Sequence, residues 1–113
     1  MTILYKIIDA AAWERALDAG VFKGAAIDLN DGYIHLSTGA QAKETAQLHF
    51  AGVENLLLVA IDESVVADHL KWEASRGGQL FPHVYGVIDP TQIIWAKPLP
   101  WDGAAHTFPA EFH

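Results

Sequence analysis

Ile3, Leu4, Tyr5, Ile7 and Ile8 form a run of β-branched and bulky apolar residues broken only by Lys6. Such a run predicts a first strand. Asp9 offers an N-cap oxygen, Trp13, Ala16 and Leu17 recur at helical spacing, and Gly20 supplies a stop. A short amphipathic helix is therefore expected over Ala10 to Ala19. Phe22 to Asp31 reads as a loop closed by the turn pair Asp31-Gly32, followed by a strand from Tyr33 to Leu36. Thr38 and Gln41 have the spacing of a capping box, which marks a second helix running to about Phe50. Ala42, Ala46 and His49 share one face of it, and Gly52 is expected to end it.

Leu56 to Ile61 is an unbroken apolar run between Asn55 and Asp62, the pattern of a central strand buried on both faces. Residues 63–69 read as a loop or a single helical turn. Leu70 to Ala74 alternates, with Leu70, Trp72 and Ala74 on one face and Lys71 and Glu73 on the other. Gly77-Gly78 makes Ser75 to Gln79 a flexible connection. Val84 to Ile88 is expected to be a strand whose start Pro82 fixes, with His83, Tyr85 and Val87 on one face, and Ile93 to Lys97 is the last strand. Pro98, Pro100 and Pro109 make residues 98–113 an irregular tail, with Trp101 and Phe108 available to pack back. Two helices early and several strands late predict an α+β fold. Short connections after Asn55 favour antiparallel pairing.

At 113 residues the chain fits one domain, 1–113, and its 51% hydrophobic content is enough for a core without a metal or disulfide staple. There is no cysteine, which removes disulfides, thiolate ligands and thiol nucleophiles and fits a reducing cytoplasm. Fourteen acidic residues face seven basic ones, and the basic ones are scattered. That balance argues against a nucleic-acid surface, which needs clustered Lys and Arg. The N-terminal residues have no basic n-region and Lys6 interrupts them, so no signal peptide is expected. No apolar run approaches the ~20 residues that span a bilayer. The expectation is a cytoplasmic protein with no membrane association and no metal.

Three segments place polar groups where a small domain normally puts plain hydrophobics: Tyr33-Ile34-His35-Leu36-Ser37-Thr38, Leu70-Lys71-Trp72-Glu73 and Phe81-Pro82-His83-Val84-Tyr85-Gly86. His35 points away from Ile34 and Leu36, and Ser37 and Thr38 open a helix whose backbone N–H groups favour an anion. His35 can hold a ribose or a phosphate, or it can be a buried structural imidazole beside a merely capping Thr38. Glu73 and Lys71 share a strand face and by themselves read as an exposed ion pair worth about 1 kcal/mol or less. The glycine pair that follows gives them a mobile neighbour, and Arg76 could close over an anion. His83 and Tyr85 can line a pocket wall, or can belong to an ordinary half-buried sheet face. Zinc-protease, Cys/His metal, phosphate-loop and nucleophile-elbow motifs are all absent from the sequence.

The order I-H-L-S-T, K-W-E and F-P-H-V-Y-G resembles the bacterial family catalogued as domain of unknown function 952. Leu4-Tyr5-Lys6-Ile7 and Asp31-Gly32 add to the likeness, which covers about Ile3 to Pro100. That family is similar in fold to the ADP-ribosyltransferases, which implies a split, mixed β-sheet architecture with two main helices and a cleft for NAD or a related nucleotide. The resemblance implies His35, Ser37, Thr38, Lys71, Arg76 and Tyr85 as cofactor-binding residues and Glu73 and His83 as catalytic ones, in a glycosyl-transfer reaction at the ribose anomeric carbon. Glu73 would hydrogen-bond ribose hydroxyls, Lys71 or Arg76 would hold the pyrophosphate, and Tyr85 would stack. The sequence departs from the superfamily pattern in two ways. It is short, and Glu73 precedes the His83-Tyr85 segment, whereas the only late glutamate is Glu111. Two other readings follow: a non-catalytic module that binds a small metabolite or a protein in the same cleft, and a phosphotransfer activity on RNA ends. The scattered basic residues disfavour the last.

Overall fold

The apolar alternation of the first strand decides how the two halves of the core are divided. In the structure, a computed structural model that describes residues 2–112 apart from the Arg76 side chain, β1 spans Ile3–Asp9. Leu4 and Ile8 point into one hydrophobic cluster, with Trp13, Phe22, Ile34, Leu36, Val59, Ile61 and Val84. Tyr5 and Ile7 point into a second, with Ala42, Ala46, Leu56, Leu58, Ala60 and Leu99. This is the period-two rule of a strand buried on both faces. β4 (Leu56–Asp62) obeys it too and pairs with β1 along its whole length, from Ile3↔Asp62 to Asp9↔Leu56.

Two antiparallel sheets result. The first has the order β3-β1-β4-β7, with β3 at Ser37–Thr38 and β7 at Trp95–Pro98. The second has the order β2-β6-β5, with β2 at Ile34–His35, β6 at Leu80–Val84 and β5 at Leu70–Ala74. The chain passes from one sheet to the other at Leu36: Ile34 and His35 pair with Val84 and His83, whereas Ser37 and Thr38 pair with Tyr5 and Leu4. Because β3 covers only Leu4 and Tyr5, the adjacent edge of β1 runs on beyond it, and the two sheets part there.

The helix α1 (Ala10–Ala19) matches its expected span. Asp9 caps it by accepting from the Ala12 N–H at 3.2 Å, and Gly20 closes it in a left-handed conformation, φ 76°. α3 (Gly39–His49) buries Ala42 and Ala46 and is capped at Phe50, close to its expected end. At its start the Gln41 side chain accepts from the Thr38 N–H at 3.1 Å and donates to the Leu80 carbonyl at 2.8 Å, tying the helix to β6. No helix is long and apolar enough to cross a membrane among the described residues.

Two expectations need correction. The stretch read as a loop from Phe22 to Asp31 contains the helix α2, Ala26–Asp31. Its signal is tertiary, since its fixed point is the buried Asp28. The strand expected from Val84 to Ile88 lies earlier, at Leu80–Val84, so Pro82 sits inside it. Trp72 opposes Pro82 across β5–β6 and His35 opposes His83 across β2–β6. Of residues 85–88, Ile88 alone keeps a bridge, to Phe22. Residues 63–69 form a short helix, α4 (Glu63–Val66), and one 3₁₀ turn. In the tail, Trp101 bridges to His106, and Phe112 packs edge-on against Tyr5 at 4.9 Å between ring centres.

Candidate functional site

The register of the second sheet puts the chemistry in one place. His35, His83 and Lys71 stand in a row across β2, β6 and β5, and Glu73 and Phe81 form the next row on the same face. Side chains at directly paired positions lie on one face of a sheet. Tyr33, one residue before β2, stacks on the His83 ring at 4.2 Å and 23°. It also touches the rings of His35 at 4.6 Å and Tyr85 at 5.1 Å.

His83 is buried and Glu73 half-buried, and Nδ1 of His83 lies 2.8 Å from Oε1 of Glu73. The Tyr85 hydroxyl donates to the same oxygen at 2.7 Å. A carboxylate only accepts, so Nδ1 carries the proton of this bond. His83 Nε2 has no hydrogen-bond partner among the described residues. The Tyr85 and His83 bonds hold the Glu73 carboxyl below its ordinary range. The same bond, with smaller contributions from desolvation and the Glu73 charge, pushes the Tyr85 phenol up to about 12. Lys71 extends its ammonium over the Tyr85 ring at 4.7 Å from the centre.

A second cluster, centred on Asp28, lies behind His35. Asp28 is 1% exposed, and the ammonium of Lys6, itself buried, sits 2.9 Å from both carboxylate oxygens. Oδ2 also accepts from the Ala25 N–H at 2.8 Å, and Oδ1 from the His35 N–H at 3.1 Å. Nδ1 of His35 lies 2.7 Å from Oδ1 of Asp28, and its Nε2 lies 3.0 Å from Oδ2 of Asp31. Burial raises the Asp28 carboxyl, but the His35 bond, the Lys6 charge and bond, and the Ala25 bond outweigh it and bring it down to about 2. Burial pushes the Lys6 ammonium below its ordinary value, against the pull of Asp28. Gly24 lets the chain turn tightly here: its φ is +124°, and a Cβ on it would stand 2.8 Å from the Cβ of Asp28.

Where the sheets part there is a cavity of about 420 Å³. Its walls include Lys6 of β1, His35 and Ser37 of the crossing segment, His49 of α3, and Phe81 and His83 of β6. The structure therefore brings His35, His83 and Glu73 together, with Tyr85 and Lys71 beside them. Ser37 is buried at the cavity wall, 3.1 Å from the Thr45 hydroxyl. Thr38 stands apart as the N-cap of α3 and is not on the wall. The Arg76 side chain lies outside the described residues, as does His113. His106, which carries no expected role, bonds the Val53 carbonyl at 2.9 Å through Nε2. Among the described residues no group of three His, Cys, Asp or Glu side chains is placed to hold a metal ion.

Lys6, Asp28 and Asp31 are site residues that pattern reading missed, and Tyr33, which opens the first of the three segments, was given no role. One signal was present: Lys6 interrupts an otherwise apolar strand, and a charge there needs a buried partner. Nothing local marked Asp28 as that partner.

Comparison with known proteins extends the geometry. No curated protein matches the chain. The crystal structure of protein CC0527 from Caulobacter crescentus is 43% identical, with 94% of each chain covered and a TM-score of 0.89. A double mutant of that protein gives 43% and 0.88 over the same coverage. Its solution NMR structure gives 44% and 0.83, covering 94% of this chain and 91% of that one. Residues 7–96 match the family model described as "Protein of unknown function (DUF952)", and the chain belongs to that family.

Proposed function

We propose that the chain binds a small nucleotide-like molecule, NAD or a relative of it, in the cavity where the two sheets part, and that its two-sheet arrangement is of the ADP-ribosyltransferase kind. The observation that carries this reading is the row His35–His83, backed by Glu73, along the wall of a cavity of about 420 Å³. Concave sites of ~300–1,000 Å³ with a few convergent polar groups are the usual form of small-molecule sites. Glu73 fixes the His83 tautomer, and Nε2 is left as a proton acceptor in the neutral ring. In a transferase, an attacking hydroxyl passes its proton to Nε2 and bonds the anomeric carbon. The C–N bond electrons leave with nicotinamide.

One observation favours a second reading, binding without turnover. Glu73 is absent from the cavity wall and its Oε1 is engaged by His83 and Tyr85, and both ring nitrogens of His35 face carboxylates. A group so fully satisfied positions its neighbours but has little left to offer a ribose.

Incubation with millimolar NAD, followed by thermal-shift measurement and assay of free nicotinamide, separates the two. A shift with release supports the transferase, and a shift without release supports the binding module. The absence of both shift and release rules out NAD as the ligand.

A further inference from the structure

β5 (Leu70–Ala74) is the outer strand of the second sheet, with β6 on one side and no strand on the other among the described residues. At five residues it is the longest of the strands that end a sheet. The hydrogen bonds at its two ends fix which backbone groups face outward. The Tyr85 N–H donates to the His69 carbonyl and the Ser75 N–H to the Gln79 carbonyl, both at 2.8 Å. In an antiparallel pair, hydrogen-bonded residues alternate with non-bonded ones. Lys71 and Glu73 therefore turn their backbone toward β6, and Leu70, Trp72 and Ala74 turn theirs outward. Pro82 agrees with this phase. It lies opposite Trp72, has no N–H, and accepts at its carbonyl from the Leu36 N–H at 3.0 Å, on the side away from β5. The Leu70 N–H is spent on the Ala67 carbonyl. The Trp72 and Ala74 N–H groups and the Leu70 and Trp72 carbonyls have no partner among the described residues.

A free edge invites pairing, and proteins usually guard one with charge. The charges on β5 instead suit one pairing. Lys71 and Glu73 share a face, and a two-fold axis through Trp72 sets each Lys71 against the partner's Glu73. In that register the outward-facing residues meet. Trp72 opposes the partner's Trp72, and Ala74 opposes the partner's Leu70. Each copy then donates from Trp72 and Ala74 and accepts at Trp72 and Leu70, the groups left unpaired. A slip of one residue would oppose outward groups to inward ones. A slip of two sets Lys71 against the partner's Lys71 in one direction and Glu73 against the partner's Glu73 in the other, and like charges directly opposite are destabilising. Both ions are available. Lys71 has no ion pair among the described residues and rests on the Tyr85 ring. Glu73 uses Oε1 for His83 and Tyr85, and its Oε2 has no hydrogen-bond partner among the described residues. On the opposite face Trp72 is 40% and Leu80 56% exposed, with Leu80 paired to Ala74, so the same docking covers apolar surface.

We propose that a second copy of this chain docks antiparallel on β5, joining the two three-stranded sheets into one of six strands about a two-fold axis at Trp72. The mode is strand addition, in which main-chain hydrogen bonds supply affinity and side chains at alternate positions supply selectivity. The partner's Lys71 arrives at the free oxygen of Glu73, on the sheet face that carries His35 and His83. The proposal does not depend on what the cavity binds.

Sedimentation equilibrium of the full chain between about 1 μM and about 1 mM tests it. The expected result is a mass that rises with concentration from 12.3 kDa toward twice that value. Hydrogen exchange of the wild-type chain, read by NMR, should slow about tenfold at the Trp72 and Ala74 amides as the dimer fills. Lys71→Glu and Glu73→Lys should each weaken dimerisation about tenfold, because each sets like charges opposite one another twice. An equimolar mixture of the two variants should recover the dimer, because every opposed pair then carries opposite signs. A mass that stays at 12.3 kDa overturns the proposal. So does a dimer whose Trp72 and Ala74 amides exchange at the monomer's rates, since its contact lies elsewhere. Folded variants that dimerise alone as tightly as wild type, or that stay apart when mixed, also overturn it. The exchange measurement uses the wild-type chain and decides the matter even where a variant fails to fold.

Discussion

The Lys6 ammonium and the Asp28 carboxylate, brought together from β1 and α2, meet inside the protein at 2.9 Å. Each is at most 5% exposed. Asp28 also accepts from His35 through both backbone and ring. The pair thus holds one histidine of the candidate site in place, and its loss would be felt both in stability and at the cavity.

Asp28→Asn leaves an ammonium buried against a neutral amide. Removing one partner of a buried pair costs ~3–5 kcal/mol. Urea unfolding should show a loss of that order. Lys6→Met combined with Asp28→Asn should lose clearly less than the single Asp28 change, because no charge is then stranded. Simple addition of the two single effects would show that the pair is not coupled.

Acid should weaken the fold through the same carboxylate. Its value is depressed from the ordinary 3.8 to about 2. A depressed carboxyl contributes stability that is complete above the unfolded value and disappears as pH falls through the folded one. The expected loss is about 2 kcal/mol between roughly pH 5 and pH 2. Denaturant midpoints taken across that range check it, and the Asp28→Asn protein should lack this component.

Tyr85 reports on Glu73. The bond between them is the main cause that holds its phenol up at about 12, against an ordinary 10.0. In Glu73→Gln the charged acceptor is gone, and the Tyr85 titration followed by carbon-13 NMR should move down toward the ordinary value. An unchanged titration would show that the bond does not control the phenol.

Gly24→Ala combines an unfavourable backbone with a collision. A side chain at φ +124° is strained, and its Cβ would lie 2.8 Å from that of Asp28. Destabilisation of at least ~1 kcal/mol is expected. The His35 ring resonances should shift as well, because Asp28 must move to make room. Thermal unfolding and histidine NMR read the two effects separately.

Elements whose cause is local were legible in the chain. α1 needed only Asp9, the Trp13 and Ala16 spacing and Gly20, and its span agrees at both ends. β4 needed only its apolar run. The alternation that put Lys71 and Glu73 on one face of β5 was also local, and the register agrees with it. The helix α2 was not legible, because its anchor is an ion pair with a strand far away in the sequence. The Leu80–Val84 strand was misplaced because Pro82 reads as a boundary. A proline has no N–H to give to a ladder, so its tolerance inside a strand depends on which edge its nitrogen faces.

The sequence by itself determined how α1 and α3 are capped and that β4 must be buried on both faces, since each follows from neighbours a few positions apart. Only the tertiary structure decided that His35 stands opposite His83, that Lys6 finds Asp28, and that the chain changes sheets at Leu36 to leave a cavity. Those facts depend on strand register and on distant charges that must compensate each other away from water, and neither is written in any local pattern.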